Sequence, residues 1–305
     1  MITSYQFVKF REDSFVEFHR QLTEMNTISC FDFEDSIMDF KTNDSNRYKS
    51  DHREKVMRLL NKFKSKILKT WLGFRINEYG TNKYFDDIAA IKSLGDIKIR
   101  CIFLSNCSSV KVLKTFLSET EDIRYDEVIP IIESNEAFNN LEEILKLKDP
   151  RFKNIAFGHC DYNLSCNLFP FVHQDNPKYW YWIKKFEQVC KQENIGFINS
   201  LYLNVNHNNY FNLMLKNTSR FFDNWGQITL TTEQSKLCYN FKDDKILNLP
   251  EFDLIGNNSI KDFATKIITL FDKYNPEGKG YTIMPETKTF ISPHEYVAAK
   301  RFVNE

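Results

Sequence analysis

The chain has 305 residues, and its 41 Lys and Arg residues balance 41 Asp and Glu residues, so its formal net charge at pH 7 is zero. This balance excludes the strongly basic surface by which proteins bind nucleic acids or anionic membranes, and no apolar stretch reaches the length of about 18 residues that a membrane span requires. The N-terminal segment MITSYQFVKFREDSF is charged where a signal peptide would be apolar, and the seven scattered cysteines include no CxxC pair. These features are typical of a cytoplasmic protein with reduced thiols.

Eight short apolar runs are predicted to be β-strands, at 4–10, 28–34, 71–77, 97–105, 127–134, 153–159, 197–205 and 226–232. They alternate with segments of helical character, at 13–25, 49–70, 82–93, 108–118, 135–147, 177–193, 208–220 and, as a weaker candidate, 233–240. Strands that alternate with helices predict βαβ units and a parallel sheet. Eight such units favour a closed (β/α)8 TIM barrel over an open doubly wound sheet.

The pattern changes after residue 240, where a loop-like segment precedes two further predicted helices at 259–274 and 293–303. We interpret residues 1–240 as the barrel. Residues 241–305 are then a C-terminal helical extension packed on the barrel or on a neighbouring subunit.

Polar side chains collect at the ends of several predicted strands, which is where TIM barrels carry their catalytic groups. The candidates are Asp32, Glu34 and Asp35 after strand two, Arg75 and Asn77 after strand three, Glu133 after strand five, and His159 and Asp161 after strand six. Purely structural interpretations stay open for each. The acids could be solvated strand ends or helix and turn formers, and a buried Arg75 could form a salt bridge to Glu34 or Asp35.

The chemistry of these groups favours a hard cation over zinc. No HxH or HExxH spacing occurs, and oxygen ligands without His or Cys suit Mg²⁺ or a similar divalent ion. A cation beside a fixed guanidinium suits a substrate that carries a carboxylate next to a carbonyl. The acids of FDFED would then hold cation-bound water or orient Arg75.

Four segments resemble motifs of the citrate lyase β-subunit family, which is grouped with the HpcH/HpaI aldolases. FDFEDSI resembles its DLEDAV segment, FRINEYGTNKYFDDI its RVN…GT…DD segment, IPIIESNEA its PLIET..A segment, and IAFGHCDYNLSCNL its LAFG..DL..DLG segment. Their order and spacing match over about residues 28–240. The resemblance implies a (β/α)8 barrel that forms a homo-oligomer, a trimer or hexamer, and binds Mg²⁺.

Carried over by position, the resemblance implies that Glu133 and Asp161 are the metal ligands. Arg75 would be the catalytic and substrate-binding arginine, with Asn77 beside it as a further substrate-binding candidate. Asp32, Glu34 and Asp35 would lie behind the metal ligands and support them. Members cleave or form carbon–carbon bonds through a metal-stabilised enolate.

Two segments depart from the family pattern. In WGQITLTTEQ, Gln227 stands where members that use acyl-CoA or acyl-carrier substrates have a lysine, and two threonines replace a His-Pro pair. In the C-terminal segment PETKTFISPHEY, Ser292 stands where several members have an acid that reaches a neighbouring subunit's site, with Glu286 nearby. A histidine typical of HpcH-type aldolases is also missing between 32 and 48. These changes weaken the case for a thioester substrate.

The sequence thus predicts a Mg²⁺-dependent carbon–carbon lyase or aldolase that acts on a small-molecule carboxylate, with a thioester as the alternative form of the substrate. The alternatives are a related acyl hydrolase or condensing enzyme, and a non-catalytic barrel that binds a keto acid or a protein partner. The aromatic stretch YWYW at 179–182 predicts either a helix face packed on the barrel or an aromatic wall beside the site.

Overall fold

The computed structural model describes residues 2–8, 15–34, 45–67, 72–95, 97–242, 259–278, 280–285 and 287–304. Eight parallel strands form a closed barrel in chain order, with β8 paired to β1. The strands are β1 Thr3–Val8, β2 Thr27–Asp32, β3 Leu72–Ile76, β4 Ile99–Leu104, β5 Tyr125–Ile132, β6 Asn154–Phe157, β7 Gly196–Asn199 and β8 Trp225–Thr229. The predicted TIM barrel is therefore confirmed.

Ten described helices lie between these strands, and an eleventh follows β8 directly. They are α1 Phe15–Glu24, α2 Ser45–Lys62, α3 Lys64–Ile67, α4 Asn82–Lys92, α5 Val110–Glu119, α6 Asn135–Asn139, α7 Leu141–Leu145, α8 His159–Ser165, α9 Pro177–Glu193, α10 Asn208–Phe221 and α11 Thr232–Tyr239. Side chains cap the N-termini of two of them. Ser134 accepts a hydrogen bond from the Ala137 amide and Thr231 from the Gln234 amide, each satisfying a helix N–H group that lacks an intrahelical partner.

The strands are buried on both faces, as parallel strands covered by helices must be. One apolar cluster fills the barrel interior and includes Tyr5, Cys30, Phe103, Ile129 and Ile198. A larger cluster lies between the strands and the surrounding helices. Because both faces are packed, a polar side chain can reach solvent or a ligand only at the strand ends, where the candidate residues lie.

The sequence prediction of β7 was too long. The predicted strand runs to residue 205, whereas β7 ends at Asn199. The following residues 201–205 form an irregular segment, in which Asn204 makes an isolated antiparallel bridge to Thr289. Leu201 and Leu203 are buried there, so their apolar character reflects packing against the C-terminal extension and the rim rather than a strand.

The C-terminal extension comprises α12 Ile260–Tyr274, a two-stranded antiparallel hairpin of β9 Thr282–Ile283 and β10 Phe290–Ile291, and α13 Pro293–Asn304. The two helices were predicted and the hairpin was not. The Phe271 and Tyr296 rings stack with centroids 4.2 Å apart, which joins α12 to α13. The Phe290 amide donates to the Leu203 carbonyl at 2.9 Å, and α13 packs on α8. The extension therefore covers part of the C-terminal rim of the barrel.

In the ranges that the structure describes, no helix combines the length and apolar character needed to cross a membrane.

Candidate active site at the C-terminal rim of the barrel

Arg75 is held at the end of β3 by acids from β2. Its Nε donates to Asp32 Oδ1 at 2.8 Å and its Nη2 to Asp32 Oδ2 at 2.6 Å. Its Nη1 lies 3.1 Å from Glu34 Oε2, and the guanidinium lies over the Phe7 ring, 4.9 Å from its centroid. Arg75 and Asp32 are both nearly inaccessible to solvent, so this two-point contact fixes the guanidinium plane.

The sequence offered Glu34 or Asp35 as the salt-bridge partners of a buried Arg75. The structure shows Glu34 in that role and adds Asp32 as the main partner. Asp35 lies outside the described residues, so its predicted supporting role remains a prediction. The suggestion that the acids of FDFED orient Arg75 agrees with the contacts of Asp32 and Glu34.

Glu133 follows β5 directly, and its side chain is buried at the rim. Its Oε1 accepts a hydrogen bond from the backbone amide of Asn106 after β4. Its Oε2 faces Gly158 after β6, where an added Cβ would come within 2.6 Å of that oxygen. The absence of a side chain at 158 therefore creates the space that the Glu133 carboxylate occupies.

Asp161 lies in the first turn of α8, immediately after β6. Its side chain is 28% exposed, and its Oδ1 lies 2.8 Å from Nε2 of His294, a buried residue of α13. The contact joins a barrel carboxylate to the C-terminal extension.

Arg75, Glu133 and Asp161 line one small cavity at this rim, together with Phe7 and Tyr281. Its volume of about 20 Å³ has room for about one water molecule or cation. A neighbouring cavity of about 280 Å³ shares Arg75 and Tyr281 and is lined mainly by apolar side chains. The rim thus has a small cavity of cation size, lined by two carboxylates and a guanidinium, beside a cavity large enough for a small organic molecule.

The charges at this rim are unbalanced. Four carboxylates of described residues lie at the rim, and they are Asp32, Glu34, Glu133 and Asp161. The positive groups beside them include Arg75 and also Lys83, whose pKa is lowered by burial while the charge of Glu34 opposes that shift. Crowded carboxylates repel one another in a partly buried site unless a cation lies among them. The excess of negative charge favours a cation as the first species to bind, and disfavours an anion alone.

The donor set fits a magnesium-like ion. Among the described residues, no group of three or more His, Cys, Asp or Glu side chains is arranged to hold a metal. Magnesium, however, is usually bound by one or two carboxylates, with water and substrate oxygens completing its shell. Glu133 and Asp161, which both line the small cavity, supply such a pair.

Asn77 has its side-chain hydrogen-bonding groups engaged within the protein. Its Nδ2 donates to the Phe33 carbonyl at 2.8 Å and to Asp87 Oδ2 at 2.7 Å, and its Oδ1 accepts from Lys49 Nζ at 2.5 Å. Burial raises the pKa of Asp87, against the opposing effect of Arg53. Asn77 therefore links β3 to α2 and α4. Its contact with a substrate remains a prediction.

A buried chain of hydrogen bonds behind the site was not anticipated from the sequence. His159 Nδ1 is hydrogen-bonded to Ser200 Oγ at 2.6 Å and its Nε2 to His173 Nδ1 at 2.9 Å. His173 Nε2 in turn lies 3.7 Å from Glu295 Oε1 on α13. Burial, and then the neighbouring His173, lower the pKa of His159 well below its usual value.

His173 has the opposite shift. Burial by itself would lower its pKa, but the nearby carboxylate of Glu295, with a smaller effect of Asp175, raises it above the usual value. Both ring nitrogens of His159 are engaged by Ser200 and His173, which agrees with the structural interpretation of this residue.

Two residues at which the chain departs from the family motifs have packing roles. Gln227 is buried in the barrel, where its Oε1 accepts from Asn199 Nδ2 at 2.9 Å and its Nε2 donates to the Ser200 carbonyl at 2.7 Å. Ser292 caps α13, because its Oγ accepts from the Glu295 amide at 3.0 Å. Glu286 lies outside the described residues.

The YWYW stretch forms the first turns of α9 and packs on the barrel. Tyr179 is buried and donates to Asn199 Oδ1 at 2.7 Å, and Trp180 Nε1 donates to the Gln174 carbonyl at 2.8 Å. The Trp182 ring packs against Tyr162 with centroids 4.9 Å apart, whereas Tyr181 is exposed. None of the four lines the two rim cavities described above, so the geometry favours the packing interpretation.

His294 and the 171–175 segment are the parts of the site that sequence reasoning missed. The only signal was the proximity of His294 to Ser292, the residue aligned with the family's C-terminal acid. Nothing in the local pattern indicated that a side chain of the extension pairs with Asp161.

Comparison with known proteins places these observations in context. The family model of HpcH/HpaI aldolase/citrate lyase matches residues 22–225. A search of curated protein sequences finds no match.

Solved structures with the same fold include three informative cases. RipC from Yersinia pestis has 17% sequence identity and a TM-score of 0.57, over 79% of this chain and 95% of RipC. The citrate lyase β subunit from Mycobacterium tuberculosis, solved with oxaloacetate and magnesium, has 13% identity and a TM-score of 0.57, over 78% of this chain and 96% of that one. Haloferax volcanii malate synthase, solved as a ternary complex with pyruvate and acetyl-CoA, has 13% identity and a TM-score of 0.73, over 100% of this chain and 90% of that one.

Proposed function

Because the chain belongs to the HpcH/HpaI aldolase/citrate lyase family, we propose that it is a lyase-type enzyme that makes or breaks a carbon–carbon bond with the help of Mg²⁺ or a similar ion. Its substrate would carry a carboxylate and a carbonyl group. The observation that carries this proposal is the meeting of Arg75 from β3, Glu133 after β5 and Asp161 from α8 around one cavity of cation size.

Glu133 and Asp161 would hold the cation. A bound divalent ion would polarise a substrate carbonyl and stabilise negative charge that develops on its oxygen. The excess of carboxylates at the rim supports this assignment because it provides the negative potential that attracts the ion. The magnesium complexes of the Mycobacterium tuberculosis citrate lyase β subunit are consistent with it.

Arg75 would orient the substrate. Asp32 holds the guanidinium in one plane, so little side-chain freedom is lost when the substrate binds. Arg75 lines both rim cavities, which lets it donate to a carboxylate or to a developing oxyanion. Since Asp32 and Glu34 more than neutralise its charge, a carboxylate alone gains little from this arginine, and we expect acid substrates to bind after the cation.

The larger rim cavity would take the remainder of the substrate. Its walls include Phe7, Phe18, Leu201, Leu230 and Phe290. These apolar side chains keep water away from the reacting groups, which strengthens the electrostatic interactions at the polar end.

A condensing enzyme or a related acyl hydrolase on the same site is the second candidate. The likeness to malate synthase covers the whole of this chain, including the C-terminal extension, and has a higher TM-score than the likeness to the citrate lyase β subunit. That observation supports a condensing enzyme as the second candidate. The homo-oligomer expected from the sequence remains a prediction.

The first test is isothermal titration of the chelator-treated protein with Mg²⁺, alone and with pyruvate or oxaloacetate. We expect metal binding in the wild type, keto-acid binding only when metal is present, and loss of both in Glu133→Gln/Asp161→Asn. Glu136→Gln serves as the control because Glu136 is an exposed acid on α6, near Glu133 in sequence. Equal metal binding in the wild type and the double variant would refute the proposed metal site.

The reaction itself is tested by proton NMR of the metal-loaded enzyme. A panel of 3-hydroxy acids and their coenzyme A thioesters would be screened for cleavage, and pyruvate or glyoxylate with acetyl-CoA for condensation. Turnover that requires metal and fails in Arg75→Lys would support a lyase or a condensing enzyme, according to the direction observed. Metal-dependent keto-acid binding without turnover of any of these would favour the non-catalytic barrel.

A further inference from the structure

The first turn of α13 presents two adjacent buried side chains to the barrel. His294 Nε2 lies 2.8 Å from Asp161 Oδ1, and Glu295 Oε1 lies 3.7 Å from His173 Nε2. Both contacts reach the segment between β6 and α9, and His294 and Glu295 are each only 6% exposed. A helix of the C-terminal extension is thus joined at two points to the part of the barrel that carries Asp161.

Asp161 needs such a partner if it is to present a carboxylate in one orientation. It lies on α8, a helix of only seven residues, and its side chain is 28% exposed. Within the described part of the chain, His294 is the side chain with which it pairs. One oxygen of the carboxylate is thereby fixed while the residue still lines the cavity that it shares with Glu133.

His294 is itself held firmly. Ser292 caps the helix through the Glu295 amide at 3.0 Å. Tyr296, on the same turn, donates to Asp272 Oδ1 on α12 at 3.0 Å and stacks on Phe271. The position of the imidazole is therefore set by the packing of the whole extension, and not by a flexible terminus.

From this geometry we propose that His294 is a positioning residue, which fixes the Asp161 carboxylate for the cation so that the C-terminal extension completes the active site. The inference rests on the proposed function, because it takes Asp161 to be a metal ligand. Groups that orient a ligating carboxylate commonly contribute about 10- to 100-fold to metal affinity. The opposite role, in which His294 competes with the cation for Asp161, predicts the opposite change.

The experiment measures the affinity of the chelator-treated, full-length protein for Mn²⁺ and Mg²⁺, by titration calorimetry and by electron paramagnetic resonance of free Mn²⁺. We expect His294→Ala to weaken Mn²⁺ binding by about 10- to 100-fold. His294→Gln, whose amide N–H can still donate to a carboxylate, should stay close to the wild type. Tyr296→Phe is the matched control, since it removes a hydrogen bond from the same helix that points to α12 and away from the barrel.

Circular dichroism and thermal melting establish that each variant is folded. If His294→Ala does not fold, His294→Asn replaces it, because its shorter amide retains polarity and cannot span the distance to Asp161. Unchanged or tighter Mn²⁺ binding in the folded variant would overturn the proposal, as would equal losses in His294→Gln and His294→Ala.

Asp161→Asn separates this inference from the proposed function. If Asp161→Asn binds Mn²⁺ as the wild type does, the proposed metal site fails and the role of His294 fails with it. If Asp161→Asn loses the metal and His294→Ala keeps it, the metal site stands and only the role of His294 is refuted.

Discussion

Arg75 and Asp32 form a two-point ion pair across adjacent strands, with contacts of 2.8 and 2.6 Å between the guanidinium and the two carboxylate oxygens. The barrel register sets the pair, because Asp32 at the end of β2 is the direct neighbour of Arg75 on β3. Both side chains are buried at the rim of the larger cavity. The arginine is therefore oriented before any substrate arrives.

Removal of Asp32 should destabilise the fold more than removal of Glu34. Asp32→Ala leaves a buried guanidinium without its main partner, and breaking a buried pair in this way typically costs about 3–5 kcal/mol. Glu34 lies 3.1 Å from Arg75 through one oxygen and is more exposed than Asp32, so Glu34→Gln should cost about 1 kcal/mol or less. Urea denaturation of the two variants measures the difference. Equal losses would show that Asp32 has no special part in holding Arg75.

Gly158→Ala should abolish metal binding and leave the barrel folded. The backbone at 158 has φ of −98°, which any residue can adopt, so the effect is steric. The new Cβ would come within 2.6 Å of Glu133 Oε2 and displace the carboxylate from the cavity. Titration calorimetry with Mg²⁺ measures the loss.

Gly196→Ala is the matched control for that experiment. Its Cβ would meet the side chains of Asn154 and Asn224, but Gly196 begins β7, at the opposite end of the barrel. We expect it to lower stability and to leave metal affinity unchanged. A comparable loss of metal affinity in both glycine variants would indicate a general disturbance of the barrel and not a local effect on Glu133.

Asn77→Ala should lower stability without changing the affinity for a keto acid in the presence of metal. The substitution deprives buried Asp87 and Lys49 of a hydrogen-bond partner, at a cost of about 1–3 kcal/mol for each group left unsatisfied. Thermal melting and calorimetric titration with pyruvate report the two quantities separately. Weaker keto-acid binding at unchanged stability would support the prediction that Asn77 contacts the substrate.

His19 should make the fold less stable as the pH falls from about 6.5 towards 4. Burial lowers the pKa of His19 to about 4, so the unfolded chain binds a proton in this range that the folded protein excludes. Above the unfolded pKa, the titration of His19 does not affect the free energy of unfolding. As the pH falls below that value, the free energy of unfolding decreases, by at most about 3 kcal/mol. Urea denaturation at pH 7.5 and pH 4.5 should show this loss in the wild type.

His19→Gln tests the assignment, because glutamine does not titrate and can replace the hydrogen bond that His19 Nδ1 makes with Ser29 Oγ at 2.7 Å. The variant should show a smaller drop in stability over the same range. An identical drop would indicate that other groups cause the loss of stability, such as buried His159, whose pKa is also lowered.

The sequence by itself determined the order of strands and helices in the barrel, apart from the length of β7, and it predicted the end of the barrel at which the candidate site residues lie. Few folds can bury the apolar faces of strands that alternate with amphipathic helices. For eight such units, the closed parallel barrel is one of them. Since all strands of a parallel barrel point the same way, acids and an arginine at the ends of several strands had to meet at one rim. Asp32, Arg75, Glu133 and Asp161 were identified in this way.

Only the tertiary structure decided which of these groups pair and what covers them. Among the described residues, Asp32 rather than Glu34 is the main partner of Arg75, because the register of β2 and β3 places Asp32 beside it. The apolar residues after Asn199 pack against the extension and the rim, a role that local periodicity cannot distinguish from that of a strand. The contacts of His294 with Asp161 and of Glu295 with His173 join residues far apart in the chain. Such contacts depend on how complete elements pack together, and no local pattern of residues encodes them.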